Sequence, residues 1–116
     1  MEISYDLRQN EEVAVLTVYD LLAEYGNREI LRDAQRRIDQ GFTNFVVDLS
    51  KVPYMNSVGL NFLITLQARC TDQGGRLVVA NASKKVVQLL EVTKLLPLFH
   101  LTDSVADAML AMQQQD

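Results

Sequence analysis

The chain has 116 residues, 48% of them hydrophobic and 22% charged, with a formal net charge of −4. That supplies one core and one domain, residues 1–116, without linker or low-complexity stretch. The acidic balance argues against nonspecific nucleic-acid binding, which wants clustered Lys and Arg, and the single cysteine, Cys70, excludes an internal disulfide.

Alternation of apolar and polar residues marks two short strands, Ile3 to Leu7 and Val13 to Val18, with Arg8 to Glu12 as the polar turn between them. Asn27 is a residue type that opens helices. From Arg28 to Gln40 the apolar positions Ile30, Leu31, Ala34 and Ile38 recur at helical spacing, and Gly41 supplies the stop. The other face of this helix is charged: Glu29 with Arg32, and Asp33 with Arg36 and Arg37, have the spacing of exposed ion pairs worth roughly 0.3 kcal/mol each, the pattern of a solvated surface. Asn44 to Leu49, β-branched at its centre and bounded by Gly41 and Pro53, reads as a buried strand.

A second helix runs from Ser57 to about Thr71, apolar on most sides, with Asn61, Thr65, Arg69 and Asp72 forming one polar stripe that leads away from Ser57, bordered by Val58 and Phe62. Gly74 and Gly75 end it. Leu77 to Ala80 is a further strand, Ser83 caps a helix through Val92, and Leu98 to Leu101 fits a short strand after Pro97. Asp103, read as a cap with Ala106 at N3, opens a final helix to Met112 whose apolar side includes Val105, Ala108, Met109 and Met112. The expected architecture is α/β: a mixed sheet of four to five strands with helices packed largely on one face.

Little in the sequence offers catalytic chemistry. A Ser-His-Asp triad can be written from Ser57, His100 and Asp48 or Asp103, but no Gly-x-Ser-x-Gly surrounds the serine and no oxyanion loop is evident. His100 reads as a strand-end residue with an ordinary hydrogen bond, and Cys70 as a small core residue on the inner side of its helix. The carboxylates are scattered and no His or Cys pair has ligand spacing, so neither metal nor cofactor is expected. Glu2 and Asp6 stand where an export signal would carry positive charge, and no apolar run reaches the length of a membrane span. The expected setting is therefore cytoplasmic, without membrane insertion. What remains is the mouth of the second helix, where Asn56 or Ser57 can accept a hydrogen bond from a first-turn amide and the helix dipole favours a phosphate.

Asp48-Leu-Ser followed by Met55-Asn-Ser-Val-Gly-Leu60 resembles the signature of STAS domains, the fold of bacterial anti-sigma-factor antagonists, which usually reads Asp-Ser-Ser-Gly-Leu after a strand. Here Asn56 stands for the family's aspartate and Val58 for its second serine, while Ser57 falls on the serine that the family phosphorylates. The turn after the second strand also differs, with Val18-Tyr-Asp-Leu-Leu22 where the family often has a Gly-x-Leu-Asp-like turn. The resemblance runs from the amino-terminal hairpin through Gly74-Gly-Arg-Leu-Val-Val-Ala80 to the last helix. It implies a non-enzymatic switch that, with Ser57 unphosphorylated, binds an anti-sigma factor that is also a serine kinase of the histidine-kinase-like ATPase fold, and that a metal-dependent serine phosphatase resets. The partner contact expected on that basis comprises Asn56, Val58, Asn61, Phe62 and Thr65, with Phe62 either an anchor or part of the core. The alternative it leaves open is a non-phosphorylated structural subunit or accessory domain of a lipid-transport or signalling complex.

Overall fold

The computed structural model describes residues 5–10, 12–22 and 24–113. Ten elements follow in order among them: β1 (Tyr5–Asn10), β2 (Val13–Val18), α1 (Glu24–Asp39), β3 (Asn44–Asp48), α2 (Ser57–Asp72), β4 (Leu77–Ala80), α3 (Lys84–Val92), a 3-10 turn (Leu96–Leu98), β5 (His100–Thr102) and α4 (Val105–Gln113). The five strands form one sheet in the order β1-β2-β3-β4-β5, with β1 antiparallel to β2 and every later pair parallel.

This order dictates where the helices go. Crossovers between parallel strands are right-handed as a rule, so a sheet that grows in one direction from β2 to β5 collects α1, α2 and α3 on the same face, and their core residues do share one cluster. Strand residues alternate between faces. Ala14, Leu16, Phe45, Val47 and Val79 point into a large core with Ile30 and Ala34 of α1, Leu63 and Leu66 of α2, and Val86 and Leu90 of α3. Val13, Val15, Val46, Val78 and Ala80 point the other way, and Ala108 and Met112 of α4 cover them with Val105 and Met109 packed alongside. The expected mixed sheet with helices largely on one face is the one found, at five strands.

Several boundaries differ from the sequence reading. Strand β1 continues to Asn10, which pairs with Val13, so residues 8–10 belong to the strand rather than to the turn; Ile3 lies outside the described residues. Helix α1 begins at Glu24, and Asn27 sits inside it with its side chain buried against a neighbouring helix. Strand β5 starts at His100 because Pro97, fixed in φ, favours a 3-10 turn over Leu96–Leu98. The cap of α4 is Ser104, whose Oγ accepts from the Asp107 amide at 3.0 Å, so Asp103 lies one residue outside it. Ser83 caps α3 as expected, accepting from the Val86 amide at 3.2 Å.

Two adjacent glycines close α2, one required by its backbone angle and the other by a close approach. At the end of α2 the chain passes through Gly74 at φ 81°, and the Gly75 amide returns to the Cys70 carbonyl at 2.8 Å. A Cβ on Gly75 would lie 1.9 Å from the Thr43 carbonyl oxygen. Cys70 is fully buried, and burial pushes its thiol up to about 12, so it is a core residue with no nucleophilic character at neutral pH.

Candidate functional site

Ser57 lies at the carboxyl end of the sheet, where β3 hands over to α2 through residues 49–56. Leu49, Val52 and Met55 bury their side chains beneath this loop and hold it to the core, while Lys51, Pro53, Tyr54 and Asn56 face solvent. The Leu49 amide donates to the Ala80 carbonyl and the Val52 amide to the Leu49 carbonyl, both at 2.9 Å. From α3, the Ser83 hydroxyl donates to the Pro53 carbonyl at 2.7 Å, so one residue caps its own helix and pins the loop.

Beneath the loop, the Asp48 carboxylate accepts from Asn81 Nδ2 at 2.9 Å, the Ser50 amide at 3.0 Å and Thr17 Oγ1 at 3.3 Å. Burial alone would raise its pKa, but these donors outweigh burial and hold the carboxyl below its ordinary value. Asn81 reaches Asp48 from a left-handed backbone, φ 62°, a conformation that Asn tolerates better than most residues. Asp48 thus binds the ends of β2, β3 and β4 together. It acts here as a structural acceptor of hydrogen bonds.

The helix mouth divides two roles that the sequence left with either residue. Asn56 is the cap: its Oδ1 accepts from the Val58 amide at 3.0 Å and the Gly59 amide at 3.3 Å. Ser57 is the first helical residue, is exposed, and its hydroxyl makes no hydrogen bond among the described residues. No acidic side chain occupies the first turn, so the positive end of the helix dipole is not offset there. His100 pairs with Val78 at the start of β4, whereas Ser57 follows the far end of β3, so the parallel strands keep the two apart. The imidazole instead meets Arg76, with Arg76 Nη2 3.2 Å from His100 Nδ1, the ordinary bond expected of it. No group of three or more His, Cys, Asp or Glu able to hold a metal occurs among the described residues.

Helix α1 closes the other side of the site. Asn27 donates from Nδ2 to the Leu21 carbonyl at 3.1 Å and the Val58 carbonyl at 3.4 Å, tying the β2–α1 segment to the first turn of α2. At Gly59 the two approach so closely that an added Cβ would lie 2.9 Å from Met55 Cβ and 3.3 Å from Leu21 Cβ. Along the α1–α2 seam a cavity of about 200 Å³ is lined by Asn27, Arg28, Leu31, Val58, Asn61 and Thr65, with Phe62 on its wall. The structure therefore brings Val58, Asn61 and Thr65 onto one accessible stripe beside Ser57 and Asn56. Phe62 is different, being 2% exposed: its ring is core, and it supports the stripe from beneath rather than projecting as an anchor.

Sequence reasoning missed the exposed apolar side chains nearest this site. Tyr54 precedes Asn56 by two residues, and Tyr19, Leu22 and Tyr25 flank Leu21, the residue that packs on Gly59; Tyr25 is 72% exposed. Aromatic side chains that stand in solvent offer both an apolar face and a polar tip to a partner. Tyr19, Leu22 and Tyr54 stand on loops and Tyr25 in the first turn of α1.

A sequence profile of the STAS domain matches residues 4–108. The anti-sigma-B factor antagonist of Bacillus subtilis (strain 168) is 26% identical over 95 residues, which cover 82% of this chain and 86% of that protein. In structure the fold is similar to unphosphorylated SpoIIAA, an anti-sigma factor antagonist (TM-score 0.78, 16% identity, 97% of this chain and 99% of that one), a Bacillus protein also solved in its phosphorylated form. It is also similar to part of the murine solute carrier 26 family member A9 anion transporter (TM-score 0.70, 21% identity), where it matches 93% of this chain and 19% of the transporter. No helix among the described residues is long and apolar enough to cross a membrane. With the profile spanning nearly its whole length, from the first strand to the last helix, the chain belongs to the STAS domain family.

Proposed function

We propose that the chain is a phosphorylation-controlled binding module, an anti-sigma-factor antagonist whose switch is Ser57. In the unmodified state the surface formed by Asn56, Val58, Asn61 and Thr65, with Phe62 supporting it from the core, binds an anti-sigma factor that is also a serine kinase. Transfer of phosphate to Ser57 adds about −1.5 to −2 charges beside that contact and ends it. A serine phosphatase restores the binding form. The module itself has no turnover.

The observation that carries this reading is the division of labour at the helix mouth. Asn56 satisfies the amides of the first turn, so the exposed Ser57 hydroxyl is left without a structural task and can be modified with little cost to the fold. A phosphate there also meets the uncompensated positive end of α2. Likeness to an anti-sigma-B factor antagonist supports the choice of partner class. Incubation with its cognate kinase and ATP should yield one phosphopeptide covering Met55 to Arg69, absent from Ser57→Ala; phosphate on another residue alone would refute the assignment. The likeness to part of an anion transporter favours a second reading, a scaffold subunit in which Ser57 is never modified. Intact-mass measurement of protein from its native cells separates the two, because the scaffold carries no phosphate under any growth condition.

A further inference from the structure

The α1–α2 seam does not end at the small cavity beside Ser57. Arg28 and Leu31 line both that cavity and a wider trough of about 450 Å³, whose other walls are Arg32, Gln35, Arg36 and Arg69, with Asp39 at its far end. Arg28, Arg32 and Arg36 recur every fourth residue and so share one side of α1, with Arg69 opposite on α2. In a chain of net charge −4, four arginines and one aspartate line this trough, so basic side chains outnumber acidic ones on its walls. The sequence had assigned the charged face of α1 to solvent, and two of its ion pairs do form, Arg32 with Glu29 at 3.8 Å and Arg36 with Asp33 at 3.2 Å. Both lie within α1 and leave the arginines on the trough wall. Arg69 is half-buried and has no ion pair among the described residues.

At the inner end, Asn27 lines the cavity and is 4% exposed, and its Oδ1 is buried and meets no donor among the described residues. Buried acceptors are normally satisfied, so this one favours a visitor bearing an N–H or O–H group. The inner cavity is smaller than an ordinary small-molecule pocket and has room for little more than one side chain. The trough beside it is shallow and long, about 16 Å from Arg28 to Asp39 at the helical rise. That shape suits a chain segment better than a compact ligand.

We propose that the α1–α2 groove is a docking site for an acidic amphipathic segment of a partner protein. One apolar side chain of the segment enters the cavity between Leu31 and Val58, a donor beside it satisfies Asn27, and carboxylates along the same segment pair with Arg32, Arg36 and Arg69. Arginine suits the task because its planar fork grips carboxylates in pairs of hydrogen bonds. The groove shares Val58, Asn61 and Thr65 with the partner contact proposed above, and in that respect the inference rests on that reading. It does not require Ser57 to be modified.

The test uses the full chain, isotopically labelled for NMR, and two synthetic amphipathic helical peptides that share leucines at helical spacing and differ in carrying glutamate or lysine elsewhere. The glutamate peptide should bind saturably at low salt and shift Arg32, Asn61, Thr65 and Arg69. The lysine peptide should not. Arg32→Glu with Arg69→Glu should weaken the glutamate peptide at least tenfold and bring the lysine peptide onto the same residues, while the melting temperature stays put. No saturable binding, equal binding of both peptides, or shifts away from the seam would overturn the proposal. Tighter binding of inorganic phosphate or ATP at these residues would also overturn it, assigning the groove to a small anion. Ser57→Ala should leave peptide binding intact, so a failed phosphorylation assay and a failed docking assay are separable results.

Discussion

At the residue scale, the mouth of α2 makes opposite forecasts for two neighbours that look alike in sequence. Asn56→Ala removes the acceptor for two amides and should cost about 1 kcal/mol in denaturant unfolding, whereas Ser57→Ala should change stability by less than about 0.5 kcal/mol. Equal losses would mean that the serine shares the capping. Asp48 makes a forecast in pH. Its folded pKa is held below the ordinary value, so its contribution is present above the unfolded value and is lost as pH falls through the folded one. Unfolding midpoints should therefore drop below about pH 4, and Asp48→Asn should flatten that limb while lowering stability at neutral pH. Cys70 should resist alkylation at pH 8 in the native protein and react at the rate of unfolding in mild denaturant, as burial and a thiol raised to about 12 require.

At the scale of elements, Gly59 sets how closely α2 can approach the segment after β2. Alanine has the better helix propensity by about 1 kcal/mol, but its methyl would press on Met55 Cβ and Leu21 Cβ, and such overpacking costs about 1–3 kcal/mol. The expected net effect of Gly59→Ala is a loss of about 1 kcal/mol, read from urea midpoints, with faster hydrogen exchange in the first turn of α2. A gain in stability would show that the approach is looser than described. The elements were legible in sequence where period and punctuation agreed: Val13–Val18, Leu77–Ala80 and the Ser83-capped helix came out within a residue or so of their bounds. They were not legible where a residue type serves two purposes. Asn27 has the chemistry of a cap, yet its amide is spent on carbonyls of two other segments, a long-range use that no local pattern encodes. The basic groove was hidden for a similar reason: Arg32 and Arg36 read as part of a solvated face, and only packing places Arg28 beside them and Arg69 of α2 across from them. Phe62 and Ser57 were placed together by helical spacing, but only packing decides that the aromatic is inside and the hydroxyl outside.

At the scale of the whole molecule, the two faces of the sheet are unequally covered. Three helices cover one face, while among the described residues Val13, Val15, Val46 and Val78 are covered by α4 alone. Ala108→Asp would press an unpaired carboxylate onto that valine surface and should lower stability by several kcal/mol, giving a protein that aggregates on mild warming. Leu110→Asp, on the exposed side of the same helix, should leave the melting temperature unchanged. The strand order has a consequence for how the chain is made. Because each strand lies beside the one synthesised just before it, a nascent chain leaving the ribosome always has its docking edge already in place, and the hairpin can serve as a template for every later β-α unit. Helix α4 emerges after all five strands. Throughout translation, then, the valine face stays bare, and it is this surface that a ribosome-associated chaperone would shield until the last helix arrives.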